Sequence, residues 1–299
     1  MKKERRRGGA QVKMYYGSPF YIASILLAVG LLVGAYFLLK GRSEKTQKAV
    51  IIILMSLNVF QHVFKFLIYP QYAGEGFSVL NTAYNMCAAL ILLSPIAYLT
   101  GNRFLRDFTF YIGTIAGIIA IAVPYWFIGL EVGELGWEYV RFYVCHAMLF
   151  LSSALVLLLG HHRATYKRSF AVGLSFVLTL CLILLNDLTV LKLGLFPGYD
   201  STDVYAALRA INPFWSMGPP TDGTFSWLVG VVEALSPSFL CGGNSKGLYV
   251  PILWYALPLY VGISLVSLAV FAIIDRRSFL LDLSYIRGKI KEKKSSKKR

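Results

Sequence analysis

Along the chain, long apolar stretches alternate with short polar joints, and the joints carry most of the charge. Seven stretches reach about 20 mostly apolar residues, the length a helix needs to cross the hydrocarbon core of a bilayer. They cover residues 19–40, 48–69, 79–100, 108–128, 139–160, 170–192 and 250–274. The joints between the first six are short, so neighbouring helices run up and down beside one another. The pattern predicts an all-α fold, a polytopic membrane helical bundle of about seven transmembrane helices with a long loop before the last one. It reads as a single integral membrane domain over residues 1–299, with the transmembrane bundle at 19–274, a long extracytoplasmic loop at 193–249 and a basic cytoplasmic tail at 275–299. No internal repeat is visible.

Composition agrees with that reading. With 57% hydrophobic and 15% charged residues, the chain is too apolar for an ordinary soluble domain. Its net charge of +15 would suit nucleic acid if it covered one folded surface, but the cations sit at the membrane edges. Lys40, Arg42, Lys45 and Lys48 fill the first loop, Arg103 and Arg106 the third, Arg163, Lys167 and Arg168 the fifth, and KIKEKKSSKKR ends the chain. The second loop, PQYAGEGFS, has no Lys or Arg, and the fourth, EVGELGWE, is acidic. The positive-inside rule then places the odd loops and the C-terminus in the cytoplasm of a multi-pass protein, expected in the cell membrane. The tail is expected to meet anionic lipid head groups, and no nucleic-acid partner is expected. The N-terminal MKKERRR opposes this orientation, since seven spans put the two termini on opposite sides. A translocated tail, a re-entrant first segment or a hidden pass in the sixth loop would each resolve the conflict. The first segment resembles the start of a signal peptide but is longer and lacks a small-residue cleavage site, so it is expected to be retained.

The sixth loop contains an apolar run at 224–240 broken by Glu233 and Pro237. That pattern suits a re-entrant or interfacial helix better than a full span. The four cysteines, Cys87, Cys145, Cys181 and Cys241, form no CxxC pair and have no zinc spacing, so neither a disulfide framework nor a metal or other cofactor is expected.

Polar residues inside spans are costly and mark either helix packing or a functional site. In NVFQHVFKF, Asn58, His62 and Lys65 fall at i, i+4 and i+7 on one helical face, with Gln61 beside them. The third span carries Asn85 and Cys87 in NTAYNMC, and the sixth carries Thr179, Asn186 and Thr189 in one stripe. Each stripe alone is explained by packing hydrogen bonds, and a lone Cys by its small apolar side chain. Depth adds a second criterion. At about 1.5 Å rise per residue, Cys87, His146, His62 and Asn186 all lie roughly 9–12 Å in from the outer ends of four different helices. Four polar groups on one level point to a polar pocket open toward the outer face.

Cys87 and His146 carry chemistry if they meet. A thiolate is a strong nucleophile, and an adjacent imidazole can take the thiol proton as it attacks an ester carbonyl. Asn186 or Asn85 would orient the imidazole or hold the oxyanion, and Lys65 suits a phosphate or carboxylate head group. In the fourth span, Gly113 and Gly117 fit close helix packing, and Pro124 fits a kink.

The chain resembles the YwaF-like integral membrane proteins through NTAYNMC, FYVCHAMLF, LILLNDL and PILWYALPLY. That family includes the eukaryotic transmembrane acyltransferases that form polyunsaturated ether phospholipids and, more remotely, the androgen-induced membrane hydrolases of fatty-acid esters. The likeness runs over roughly residues 58–186. It implies a Cys/His pair at Cys87 and His146 that transfers or releases an acyl group, acting on membrane phospholipids or acyl lipids. Asn85 stands where the family run carries His, and Ala83 where it carries Pro. The other reading of the same pocket is a non-enzymatic solute carrier or receptor in which His62 and Lys65 bind the solute. A carrier would be expected to show internal repeats and broken helices in matching positions.

Overall fold

The computed structural model describes residues 15–72, 74, 76–124, 128, 132–196, 198, 202–212, 215–220, 226–243 and 248–296, without the side chains of 132–135 and 291–296. The basic stretch at 1–7, the end of the tail and residue 131 of the acidic loop lie outside the described residues. The helices in chain order are α1 (Pro19–Lys40), α2 (Glu44–Val63), α3 (Lys65–Ile68), α4 (Met86–Thr100), α5 (Arg103–Ala122), α6 (Val132–Leu158), α7 (Ser169–Lys192), α8 (Val204–Ile211), α9 (Ser226–Ala234), α10 (Leu253–Ile274) and α11 (Arg276–Ser296). Among the described residues the only β pairing is an isolated bridge between Cys241 and Tyr249. The protein is an all-helical bundle.

Among the described residues, six segments are long and apolar enough to cross a bilayer: α1, α5, α6, α7, α10, and α4 together with the turn before it. The seventh expected span, α2, has comparable length but buries Gln47, Asn58, Gln61 and His62 against its neighbours, α4 and α6. Local sequence explains the boundaries. Ser18 caps α1 ahead of Pro19, Ser43 caps α2, and Asn102 caps α5, each side chain accepting an otherwise unpaired backbone N–H. Gly101, at φ 70°, ends α4, a left-handed conformation that glycine adopts without strain. Pro124 does not kink a helix, because α5 has already ended at Ala122. The prolines inside helices are Pro95 in α4 and Pro258 in α10.

The bundle is asymmetric. α5 lies along α6 and α7 along α10, whereas α1 touches mainly α6 and leaves most of its surface outward. An outward Leu or Phe costs nothing in lipid, so close approach and hydrogen bonds, rather than hydrophobic burial, select the packed faces. At the basic end, Asp107 is fully buried and accepts from Arg168 Nε at 2.5 Å and from His162 Nε2 at 2.7 Å. This joins α5 to the fifth loop. The same loop holds α11 through Thr165 to Asp275 at 2.9 Å and Lys167 to Asp282 at 2.6 Å. The hydrogen bond from Lys167, together with that from Tyr166, holds the Asp282 carboxyl below its ordinary range.

The sixth loop folds as short pieces. α9 has nine residues and lies against α10, so the run at 224–240 is too short in helix to span. Glu233 accepts a hydrogen bond from the Tyr249 hydroxyl at 2.5 Å, and burial together with that bond keeps this hydroxyl protonated up to about 12. Trp254 Nε1 donates to Trp215 O at 2.9 Å, fastening the loop to the start of α10.

Glycines set the closest contact between α5 and α6. A Cβ on Gly117 would stand 2.8 Å from Phe150 N and 2.9 Å from its Cα, atoms of α6 that cannot move aside without shifting the helix. Gly117→Ala is therefore expected to destabilise the protein by about 1–3 kcal/mol, read as a lower melting midpoint of the detergent-solubilised chain. Gly30→Ala on α1, where a Cβ meets nothing within 4 Å, should be neutral or slightly stabilising. Equal midpoints for Gly117→Ala and wild type would remove this contact from the account of packing.

Candidate functional site

The site is organised by a break in the third apolar segment. That segment is not one helix over 79–100, as its composition suggests. It is a 3-10 turn at Val79–Asn81, extended backbone at Thr82 and Asn85, and then α4 from Met86. Asn85 competes with helix continuation by placing its own Oδ1 on the N–H of Ala88 at 2.9 Å, which makes it the N-cap. Cys87 is thus the second residue of α4. The depth reckoned for it along a helix starting at residue 79 does not apply.

A broken backbone inside an apolar bundle leaves polar groups that need partners. Neighbouring side chains supply them. His62 Nε2 donates to Thr82 O at 2.9 Å, Asn81 Nδ2 donates to Val63 O at 2.8 Å, and Lys65 Nζ donates to Leu80 O. Ser78 donates through N to Asn81 Oδ1 at 3.0 Å, and Val79 N reaches Leu195 O at 3.0 Å. The face formed by Asn58, His62 and Lys65 is buried throughout, although the helix itself breaks at Phe64, between His62 and Lys65.

Two more helices reach the same level. Asn186 on α7 donates through Nδ2 to Thr82 Oγ1 at 2.9 Å and to Asp187 Oδ1 at 3.0 Å. Asn58 on α2 donates to the backbone carbonyl of Cys145 on α6 at 3.1 Å, while Gln61 donates to Asn58 Oδ1 at 2.7 Å and Tyr69 to Gln61 Oε1 at 2.7 Å. His146 follows Cys145 directly. Its Nδ1 donates to Phe142 O at 2.8 Å, and its ring lies 4.2 Å from the Phe142 ring. A carbonyl can only accept, so the neutral imidazole keeps its proton on Nδ1 and presents Nε2 as the basic nitrogen.

Cys87 is half-buried against an apolar cluster that includes Met86, Leu90, Cys145 and Leu149. Cys87 and His146 are not hydrogen-bonded to each other. The structure brings His62 and Asn186 together on Thr82, places Asn58 beside the His146 turn, and commits Asn85 to capping. Thr189 is exposed, its hydroxyl bonded to Leu185 O, and Thr179 bonds to Ser175 O; neither joins the site. All four cysteines are free thiols.

Beside these residues stands a charged cluster. Glu138 accepts from Arg141 Nε at 2.8 Å and from the Tyr72 hydroxyl at 2.5 Å. The Lys65 ammonium lies 5.2 Å from the Tyr72 ring centroid and 5.7 Å from that of Tyr84, which stacks on His62. Burial, reinforced by the bond to Glu138, raises the Tyr72 hydroxyl well above the ordinary tyrosine range. Sequence reasoning passed over Glu138, Arg141, Thr82 and Asp187. Asp187 is 1% exposed, and its Oδ2 has no hydrogen-bond partner among the described residues. The signal for it was present, since a carboxylate inside an apolar run is rare and functional by default. Thr82 could not be found that way, because its part depends on a chain break. Among the described residues, no group of three His, Cys, Asp or Glu side chains is placed to hold a metal ion.

The sequence model of the TMEM164 family matches residues 15–196. The chain belongs to the TMEM164 family. The TMEM164 match runs from before α1 to just past the end of α7, so every site residue named above from Asn58 to Asp187 lies inside it. It identifies a transmembrane protein family. No curated protein and no solved structure matches the chain.

The cap gives a test of the break itself. Asn85→Ala should lower the melting midpoint by the equivalent of about 1 kcal/mol, and Asn85→Ser should recover most of the loss. Equal stability of Asn85→Ala and wild type would mean that the helix start does not depend on this side chain.

Proposed function

We propose that the chain is a membrane-embedded acyl-transfer enzyme, an acyltransferase or lipid hydrolase acting on phospholipid or fatty-acyl ester substrates, with Cys87 as nucleophile and His146 as base. The observation that carries the reading is the position of Cys87 in the first turn of α4. Among the described residues the N–H groups of Met86 and Cys87 have no acceptor, so two backbone donors and the positive end of the helix dipole meet any anion forming beside the thiol. Such preorganised donors are what an acyl-transfer oxyanion requires. The resemblance to YwaF-like proteins and their ether-phospholipid acyltransferase members supports the same pair.

In this reading the Cys87 proton passes to His146 Nε2 as sulfur attacks the ester carbonyl, and the oxyanion is held at the start of α4. The carbon–oxygen bond to the leaving alcohol breaks, His146 returns the proton to that alcohol, and a thioester remains. An acceptor alcohol or water then gives its proton to His146 as it attacks the thioester, the carbon–sulfur bond breaks, and His146 returns the proton to the departing Cys87 sulfur. His146 and Cys87 must come within hydrogen-bond reach for this, a contact that unliganded sites commonly complete only with substrate present. His62 and Asn186 act as positioning residues that hold the broken segment at Thr82, and Asn58 holds the turn before His146 through Cys145 O. Lys65 and Arg141 are the cations that would attract the substrate head group, Lys65 doing so while it holds Leu80 O. The basic tail engages anionic lipid, and the acidic end of the bundle faces outward from the cell membrane with the C-terminus inside.

Acyl exchange on phospholipids in proteoliposomes tests the assignment. Cys87→Ala and His146→Ala should each cut turnover by on the order of 10³-fold or more, without additivity in the double variant. Cys87→Ser should be nearly as inactive, and Lys65→Ala should mainly weaken substrate binding. Undiminished exchange in Cys87→Ala sinks the nucleophile. Loss of solute uptake on changing His62 and Lys65, with Cys87→Ala tolerated, would instead favour the carrier.

Orientation is tested separately. In a Cys241→Ser background, Trp137→Cys should react with a membrane-impermeant maleimide on intact cells, Trp137 being exposed at the acidic end. Reaction only after the cells are opened would reverse the assigned topology.

A further inference from the structure

At the basic end of the bundle, opposite Cys87, the ends of α2, α4, α5 and α6 line an open cleft of about 740 Å³. Its polar wall is made of Lys48, Glu44, Tyr98, Arg106 and His161. Arg106 donates through Nε to Ala97 O at 3.1 Å and through Nη2 to Tyr98 O at 2.5 Å, closing the last turn of α4. Its Nη1 has no acceptor among the described residues, so the outer edge of the guanidinium is open to an anion. Gln47 donates through Nε2 to Leu39 O at 2.9 Å and Arg42 O at 3.2 Å, which turns its Oε1 toward His161 and makes His161 Nε2 the donor at 3.0 Å. The His161 ring is thereby fixed beside the cleft.

One further feature points to a ligand. The Tyr98 hydroxyl is buried and has no hydrogen-bond partner among the described residues, and Tyr98 as a residue is 5% exposed. A buried polar group without a partner is costly. α2 and α5 begin here while α4 and α6 end here, so the helix dipoles offset one another and the cationic charge at the site is that of Lys48 and Arg106. Glu44 opposes them, but its ion pair with Lys48 at 2.6 Å is exposed and contributes little. The volume suits a head group rather than a bare ion, and Leu99 at the rim is 68% exposed on the lipid side.

We infer that this cleft binds a phosphate-bearing group, held by Arg106, Lys48 and the Tyr98 hydroxyl, at a site separate from the acyl-transfer centre. The geometry favours a phospholipid of the adjacent leaflet, its chain running past Leu99. A free phosphate offers the same chemistry without the chain.

Arg106 is unsuitable for the test because it also closes α4. Tyr98→Phe removes only a hydroxyl that has no partner, so the fold and the melting midpoint should be unaffected. The full chain in detergent micelles is titrated with short-chain phosphatidic acid and, separately, with inorganic phosphate, and bound ligand is measured by equilibrium dialysis. Saturable binding of the phosphatidic acid is expected, weakened about tenfold in Tyr98→Phe and about threefold in Lys48→Gln, and strengthened about threefold in Glu44→Gln. The same variant pattern with inorganic phosphate at equal affinity would support the site and identify free phosphate as its ligand. No saturable binding of either probe, or affinity unchanged in Tyr98→Phe, overturns the proposal. Acyl exchange by Cys87 is unaffected by either result.

Discussion

In an apolar bundle every backbone polar group must find a partner within the protein, and the irregular stretch from Ser78 to Asn85 is where this constraint bears hardest. Water would satisfy those groups in a soluble loop. Here the side chains of His62 and Lys65 reach the carbonyls of Thr82 and Leu80, and Asn81 reaches back to Val63. A lost partner in such a place costs about 1–3 kcal/mol, since the orphaned group cannot turn to solvent. The polar face of α2 is therefore explained by the chain break beside it, before any chemistry is assigned. The proposed chemistry would use groups that the fold already requires.

That double use accounts for α2 falling short of the apolarity of the other long helices. A helix serving only to cross lipid can be as uniform as α1, with Leu26, Phe37 and Leu38 all turned outward. A helix that must satisfy a neighbour's broken backbone needs a donor on its inner face, and His62 supplies it, while Asn58 on the same face bonds Cys145 O of α6 and Lys65 reaches Leu80 O from just past the break at Phe64. The opposite end has a different solution. There the loops are short, Asp107 gathers His162 and Arg168, and Arg106 closes the carbonyl end of α4.

Periodicity and length were enough to read the bundle, because a span is a sum over about 20 residues and tolerates a few polar positions. The polar face of α2 was legible for the same reason, and the site cation Lys65 with it. Three things were not. The helix start at Met86 depends on Asn85 choosing its own cap over a continued helix, a competition of about 1 kcal/mol that composition does not register. Thr82 gains its place only once that break exists. Glu138 and Arg141 pair across one turn and meet Tyr72 from another loop, so each reads alone as an ordinary charge at a membrane edge. The depth argument placed Cys87 in a continuous helix and failed for the first of these reasons.

The break also decides what chemistry Cys87 can perform. Had residues 79–100 formed one helix, the N–H groups of Met86 and Cys87 would each bond a carbonyl four residues earlier, at Thr82 and Ala83, and no donor would remain beside the thiol. With the helix starting at Met86 those two donors are released, while the Thr82 carbonyl they would have used is taken by His62. The same substitution of partners leaves the positive end of α4 inside the bundle rather than at its surface, where solvent would screen it. An electrostatic donor pair is worth most in such a low-dielectric position. His62 thus acts on the candidate oxyanion site without touching it, by holding the carbonyl that a continuous helix would have turned back onto its own backbone.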